Sequence, residues 1–534
     1  VFTIFVSVLA VSTYSYGDDA HHHHAPGEQE LGTVHFPVSC SSTVQKDFER
    51  AVALLHSFAF ETAETAFRRV AQEDPNCAMA HWGIARSFWR WAGPDAPTRN
   101  RGWQEVVLAK SLHAPTGRER AYIDSLASLY RDPASTNEKS WDNYVRKLEK
   151  LHHDYPYDHE ATAFYASALT FADRDDDPTH RKRREAAPLL EPLFASDPNH
   201  PGVAHYLIHA YDRPDLAKLG LPAARRYARI APAAPHALHM PSHIFAQLGM
   251  WQEDINSNLA SLAASRHASD NDMEDLGHQY HAMEFLMYAY LQCGREADAQ
   301  KLLEEVRSLP KVKSMYGDNS DPQVYAVLSY SAAYVLELHE WRQAAELPLV
   351  PGTQLGDDII SYLARAIGAA RQGDVAKARE DIVQIDSIYK QVVAKKLPFV
   401  GWAEQVKHEA QAWADHAEGH DEEALHLLRE IAEKQRTGVF GASGDLPARE
   451  MLADMLLDMN RPEQALDEYE ASLRINPNRF DSLYGAARAA EAARGPREAA
   501  NYYRELLKVC AGTSSTRPEL AHAQSFLSQV EKEH

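Results

Sequence analysis

Four histidines pose the chemical question in this sequence. In HYLIHAYD, His205 and His209 are spaced i, i+4, and in HALHMPSHIF, His239 and His243 repeat that spacing. Each lies 34 residues after its counterpart (205 to 239, 209 to 243). An i, i+4 pair falls on one face of a helix, so two imidazoles are expected side by side on each of two helices. Thirty-four residues is also the period of a stacked helix–turn–helix unit, which predicts equivalent places for the two pairs in neighbouring units. His278, His281 and Glu284 follow in HQYHAMEF, and Asp212 and His236 flank the pairs.

Imidazole suits Zn, Cu, Ni or Fe, and an added carboxylate shifts the choice towards harder ions. Two HxxxH pairs on helices about 10 Å apart could supply four ligands, His205, His209, His239 and His243, to one centre, with His281 as a fifth candidate. His236, His278, Asp212 and Glu284 could add a ligand, orient the imidazoles from behind, or leave a position for substrate. A filled tetrahedral set would be structural, whereas three protein ligands plus water suit catalysis. The competing reading is a set of histidines satisfied by backbone and tyrosine partners, since the pairs lack the Glu of HExxH zinc proteases. Recurrence at the repeat period, with more His and acid on a third unit, favours metal; Cu, Zn and Fe are the candidates. Tyr206, Tyr280 and Tyr288 could stack on a ligand, act as redox partners or simply pack. Met240 and Met283 could offer thioethers to copper or act as filler.

The rest of the chain supplies helical hairpins. In FERAVALLHSFAFETAETAFRRVAQEDPNCAMAHWGIARSFW, Ala51 and Ala63 stand where two helices would touch, Phe67 follows one turn later and Pro75 closes the unit. Small residues let helices approach, and Pro ends the second helix because it has no N–H to donate. Ala465, Tyr469 and Pro477 repeat the pattern, and Ala499 and Tyr503 recur one period on. Weaker units are readable at Pro156, 186–198, 223–235, 294–303 and 341–345. No stretch alternates like a strand with Asn-Gly or Asp-Gly turns, so the fold class is all-α. Irregular inserts are expected at 91–103, 172–184, 211–222 and 308–322, and RKRR (181–184) as a solvated loop. There is no GxGxxG, Walker or GxSxG signature.

On these positions the chain resembles the tetratricopeptide-repeat family over most of residues 42–510. HFPVSC, DPNCAMAHWGIA, HYLIHAYD and HMPSHIF also resemble a group of exported bacterial proteins carrying such repeats and HxxxH motifs. The resemblance implies a right-handed superhelical solenoid whose first helices line a concave groove, usually for a protein or peptide partner. In the family pattern, positions 2, 5, 9 and 12 of a first helix face that groove. This puts His205, His209 and Asp212 of one unit, His236, His239 and His243 of the next, and His281 and Glu284 of a third into one groove.

Composition sets the remaining bounds. The chain has 534 residues, 45% hydrophobic and 25% charged, with net charge −21, as expected of a folded domain or repeat array. The acidic balance argues against a nucleic-acid partner and against docking on an anionic membrane. Residues 1–17 (VFTIFVSVLAVSTYSYG) are apolar and uncharged and read as a truncated signal peptide, with the alternative of an anchor at the short limit for a span. Residues 18–41 read as a flexible lead, in which His21 to His24 could hold metal loosely or serve as a tag or spacer; 42–534 form the solenoid, with the site at 200–290. A periplasmic or extracellular location follows, with no stable membrane insertion after cleavage. Among Cys40, Cys77, Cys293 and Cys510, the first two could bridge across the first hairpin in an oxidising compartment or stay as buried thiols. Three functions remain open: a partner-binding scaffold with a metal site, a metal-dependent enzyme (copper or iron oxidation, zinc hydrolysis), and metal storage or delivery.

Overall fold

The computed structural model describes residues 30–90, 93–173, 177, 179–270 (side chains to 266), 277–309, 321–350, 353–397, 399–435 and 445–532. The apolar stretch 1–17, His21 to His24 and most of the 308–322 insert lie outside the described residues. Among those described there are helices and turns and no strand. Consecutive helices pack on one another, from Gln45–His56 to Pro518–Val530, as tetratricopeptide-like hairpins in an all-α solenoid. No helix among the described residues is long and apolar enough to cross a membrane.

The repeat works through one recurring contact. The helix Phe60–Glu73 buries Phe60, Ala63, Phe67 and Val70, a spacing of three and four that forms one stripe. The helix Pro462–Ile475 buries Ala465, Leu466, Tyr469 and Ser472 in the same register. In each case the aromatic ring lies against a glycine of the following helix. A Cβ at Gly83 would stand 2.4 Å from the Phe67 ring, and one at Gly485 would stand 2.2 Å from Tyr469. Only hydrogen fits there, so ring and glycine interlock, and burying each ring contributes about 2–3 kcal/mol.

Two departures from the sequence reading bear on the site. Residues 30–41 are not a loose lead: Leu31, Val34 and Phe36 are buried, and Phe36 packs on Phe48, Trp82 and Tyr122. Backbone bonds from Thr33 N to Asn199 O (2.9 Å) and from Ala233 N to Glu30 O (3.2 Å) tie this segment across the site helices. Its apolar residues, spaced two or three apart, outweigh the polar stretch before it. Likewise, residues 181–184 form the first turn of the helix Arg181–Ser196 rather than a loop, and Ala217 already opens the helix Ala217–Ile230.

The C-terminal hairpins return to the middle of the chain. Trp251 Nε1 donates to Asn478 O (2.9 Å) and Asn478 Nδ2 to Gly249 O (3.1 Å). Beside them, fully buried Arg479 pairs with Glu450 (2.7 Å) and Glu337 (2.9 Å) and donates to the Tyr288 hydroxyl (2.9 Å). A buried guanidinium is tolerated because two carboxylates flank it. The arrangement fixes the helix that carries His278, His281 and Glu284 from its far side.

Candidate metal centre

The helix Pro201–Tyr211 carries the first pair. Pro201 occupies its first turn, where the missing N–H costs nothing, and the His200 side chain accepts from Val203 N (3.2 Å). Every residue of this helix is buried, the mark of a helix enclosed on all sides. The second pair spans a break: Pro241 divides Pro235–His239 from Pro241–Gln247. Met240 nevertheless keeps α dihedrals (φ −51, ψ −33), so His239 and His243 remain one turn apart on one face.

The four histidines do not close on one point. They separate into two trios, each pair recruiting a third imidazole from the next element. His205 Nε2 lies 3.0 Å from His209 Nε2 and 3.1 Å from His236 Nε2. His243 Nε2 lies 3.1 Å from His239 Nε2 and 3.3 Å from His281 Nε2. In each trio the ligand atoms lie within 4.8 Å of one another. The trios are contiguous, with 5.9 Å between the His209 and His243 ring centroids and 6.0 Å between those of His236 and His239. Four ligands at one centre thus gives way to three and three, because stacking places His236 over His205, and His281 over His243. His278 sits 4.7 Å from His236, ring to ring, at the edge of the cluster.

The partners of the other ring nitrogens decide what the convergence means. His243 Nδ1 lies 2.8 Å from Asp212 Oδ2, and His239 Nδ1 lies 2.7 Å from Asn258 Oδ1. The Asn258 amide is oriented by its own Nδ2, which donates to Asp254 O (3.0 Å) and Oδ1 (2.7 Å). Both acceptors can only receive a proton, so both imidazoles donate from Nδ1, and a ring in its neutral form presents a lone pair at Nε2. Two lone pairs 3.1 Å apart repel unless a cation lies between them. In the first trio, His205 Nδ1 is likewise spent on the His56 carbonyl (2.6 Å). Zn–N bonds of about 2.0–2.1 Å at tetrahedral angles hold neighbouring nitrogens about 3.3 Å apart, close to the separations here.

Asp212 and Glu284 are therefore orienting groups. Asp212 holds His243 and also accepts from Gln247 Nε2 (3.1 Å), while Glu284 faces His281 Nδ1 at 3.4 Å. Burial raises the Asp212 pKa, but the hydrogen bonds from His243 and Gln247 and the nearby Arg183 charge more than offset it, so that the carboxyl is held below its ordinary value. Burial pushes the opposite way on imidazolium. It takes His205 down to about 3 and holds His209, His236 and His239 well below the usual range, with His281 also lowered. Neighbouring imidazoles, repelling as cations, add to the shift. These five imidazoles accordingly resist protonation.

The setting is an interior rather than an open groove. His205, His209, His236, His239, His243 and His278 are all buried, and His281 is partly so. Phe58 covers the first trio, its ring 4.3 Å from His205 and 5.2 Å from His236, and Phe171 meets His209 at 5.0 Å. Phe285 covers the second trio at 4.6 Å from His243 and 5.0 Å from His239. Groove positions read from a repeat register miss this cover, because Phe58 arrives from a turn about 150 residues upstream. Phe58 (φ 56) is left-handed, a strained state for an aromatic residue. That turn presents both the ring and the His56 carbonyl to the cluster.

Other groups of potential ligands differ in kind. His56, Glu160 and His200 are buried together, but both carboxylate oxygens are engaged, at 2.7 Å by His56 Nε2 and 2.8 Å by His200 Nε2. His56 Nδ1 meets the Tyr206 hydroxyl (2.9 Å) and His200 Nδ1 caps a helix, so no nitrogen is left over. Cys40 and Cys77 are joined by a disulfide. Tyr206 and Tyr288 are packing residues with hydroxyl partners, while Tyr280 is buried and its carbonyl accepts from the Tyr330 hydroxyl. Met240 and Met283 are fully buried. Sequence reasoning missed Phe58, Phe285, Asn258 and the contact of the His56 carbonyl; of these only Phe285, one residue after Glu284, carried a local signal.

No family model matches the chain and no curated protein matches it. Among solved structures it is similar to a human IFIT1 dimer with m7Gppp-AAAA, at 14% identity and TM-score 0.39, over 81% of this chain and 90% of that one. It is also similar to the P58(IPK) TPR domain, at 13% identity and TM-score 0.18, over 92% and 100%. Likeness at this level adds nothing to the site; the architecture rests on the hairpins themselves.

Proposed function

We propose that this chain is a metal-binding helical-repeat protein whose buried histidine cluster holds two transition-metal ions, one per trio. The observation that carries the reading is the pair His239 and His243, whose Nδ1 atoms are committed to Asn258 and Asp212 while their Nε2 atoms face each other at 3.1 Å. All-nitrogen donors favour Zn, Cu or Fe over Mg or Ca. A resident ion would supply charge compensation and, at a three-nitrogen site, a position able to polarise a bound molecule. The protein's own part is to fix the tautomers, exclude water and hold the rings in place. Export to an oxidising compartment is supported by the Cys40–Cys77 disulfide. Partner binding on the solenoid surface fits the repeat architecture.

The test is elemental analysis of full-length protein in which His21 to His24 are replaced by Ser, stripped with chelator and reloaded separately with Zn(II) and Cu(II). Two ions per chain are expected, falling to one in His205→Ala/His209→Ala and to one in His239→Ala/His243→Ala, with helicity retained. Failure of the folded wild-type protein to retain stoichiometric metal after reloading would overturn the reading. A metal-dependent enzyme is the second reading, favoured by the count of three histidines per site rather than four.

A further inference from the structure

A cavity of about 440 Å³ opens on the far side of Phe58 and Phe171 from the first histidine trio. Five aromatic rings line it, those of Phe58, Phe60, Trp89, Trp141 and Phe171, with the Trp89 and Trp141 rings inclined by only 29° at 6.2 Å. Such a chamber lies in the usual size range for small-molecule sites and has their usual apolar walls. Arg86 is 6% exposed and permanently charged, yet it takes part in no ion pair among the described residues. Its Nη1 donates to the Trp89 carbonyl (2.8 Å), it bonds the Tyr144 hydroxyl, and its Nε has no partner. Burying a cation without a counter-ion costs several kcal/mol, as the contrast with Arg479 and its two carboxylates makes plain.

Besides Arg86, the chamber is lined by the cations Arg90 and Lys182 and by the carboxylates Glu138, Asp142 and Asp173. Arg90 pairs with Glu61 (3.2 Å), Lys182 lies 3.8 Å from Asp142 and donates to Ala172 O (2.7 Å), and Asp173 Oδ2 is held by His180 and Arg183 at 3.2 Å each, while its buried Oδ1 accepts no hydrogen bond. Arg86 is thus the one cation of this lining that no carboxylate pairs among the described residues. We propose that this cavity binds a small aromatic monocarboxylate, with the Arg86 guanidinium as its counter-ion. A dianion would place its second charge against Asp142 and Asp173, and a neutral ring would leave Arg86 as it is. The bound ligand's ring would lie against Phe58 and Phe171, one side chain away from His205, His209 and His236.

The inference does not depend on metal, so the experiment uses full-length protein stripped with chelator. Phenylacetate, 2-phenylethanol and phenethylammonium, matched in shape and differing in charge, are titrated by calorimetry and by the fluorescence of the cavity tryptophans. Phenylacetate is expected to bind at least tenfold, and up to about a hundredfold, more tightly than the alcohol, since a hydrogen bond to a charged group is at stake. The ammonium should not bind measurably. Arg86→Met should remove that preference while leaving the weak binding of the alcohol. Equal affinity for acid and alcohol in the wild type, or no binding of the acid at millimolar concentration, overturns the proposal, and the wild-type comparison decides even if the variant fails to fold. An unchanged preference in a folded Arg86→Met overturns it too.

Discussion

Replacing Asn258 with Leu isolates the step on which the second trio depends. In the wild-type chain the 2.7 Å bond to Asn258 Oδ1 keeps the proton of His239 on Nδ1. Without it, the nearest acceptor is Ser242 Oγ at 3.3 Å, a long contact. The neutral ring then gains by moving its proton to Nε2, where His243 Nε2 waits 3.1 Å away as an acceptor. The metal-free variant therefore satisfies the pair with a hydrogen bond, and an incoming ion must break it and restore the other tautomer. Loss of an outer partner of a ligating histidine weakens metal binding by about 10–100-fold, which is about 1.4–2.7 kcal/mol. Asp254, whose carboxyl pKa burial raises well above its ordinary value, loses its Asn258 donor as well, so the metal-free protein should also lose about 1–3 kcal/mol of stability. Competition for Zn(II) with a chromophoric chelator would resolve the two constants. One should weaken as stated while the other, belonging to His205, His209 and His236, moves less than threefold; Asn258→Asp, which keeps the acceptor, should recover most of the loss. Two unchanged constants in folded Asn258→Leu would refute the tautomer argument.

Two further outcomes follow from the same geometry. Gly249→Ala puts a Cβ 2.1 Å from Pro477 O at a left-handed position (φ 63). The backbone term of about 1–2 kcal/mol, plus about 1 kcal/mol for each of the two bonds joining Gly249 and Trp251 to Asn478, predicts a loss of about 3–4 kcal/mol in urea unfolding; a loss below 1 kcal/mol would mean that the C-terminal hairpins are not held there. The pH dependence of the metal-free protein has a definite sign. Burial keeps His205 down at about 3 and His209, His236 and His239 well below their ordinary range, whereas the unfolded chain protonates them near 6.5. Between those values the unfolded state binds more protons, so stability is full above about pH 6.5 and falls as pH drops, each group adding up to about 1.4 kcal/mol per pH unit. Urea midpoints measured from pH 7 to pH 5 should fall steeply, and a flat profile would contradict the burial of these rings.

What the sequence made legible was what is encoded locally. The i, i+4 spacing of the histidines and the one-turn step from Ala63 to Phe67 each follow from helix geometry alone, and both reappear as side-chain contacts. Which imidazole completes each trio was not legible, because neighbouring units must be placed relative to one another and one residue of phase turns a side chain by about 100°. His236 accordingly read as an accessory, whereas its Nε2 lies 3.1 Å from that of His205, and the histidines fall into two groups of three rather than one of four. Burial was hidden for a different reason: Phe58 and His56 come from the first hairpin and meet the cluster across about 150 residues of chain, and the segment around Phe36, which precedes that hairpin, is tied to Asn199 and Ala233. The Gly249–Asn478 contact spans still more, between two turns that look ordinary in isolation.

The distribution of carboxylates around the cluster bears on whether its ions would be structural or reactive. A structural site fills its coordination sphere from the protein, and the two acids best placed to do so here are used otherwise. Asp212 is spent on His243 Nδ1 and Gln247, and Glu284 faces the Nδ1 edge of His281. Each trio therefore offers three imidazoles and no further protein ligand from these acids. Around the first trio the neighbouring space is occupied by Phe58 and Phe171, which give way directly to the Arg86 cavity. A centre built only to stabilise the fold has no use for a chamber with a cation that no carboxylate pairs on the other side of its aromatic cover. The two proposals are separately testable, but they meet at one place: a carboxylate-bearing ring held by Arg86 would rest on the Phe58 ring that shields His205 and His236. If Phe58→Ala raised the rate of metal exchange at the first trio, and phenylacetate then slowed it, the cover would be established as the passage between the two.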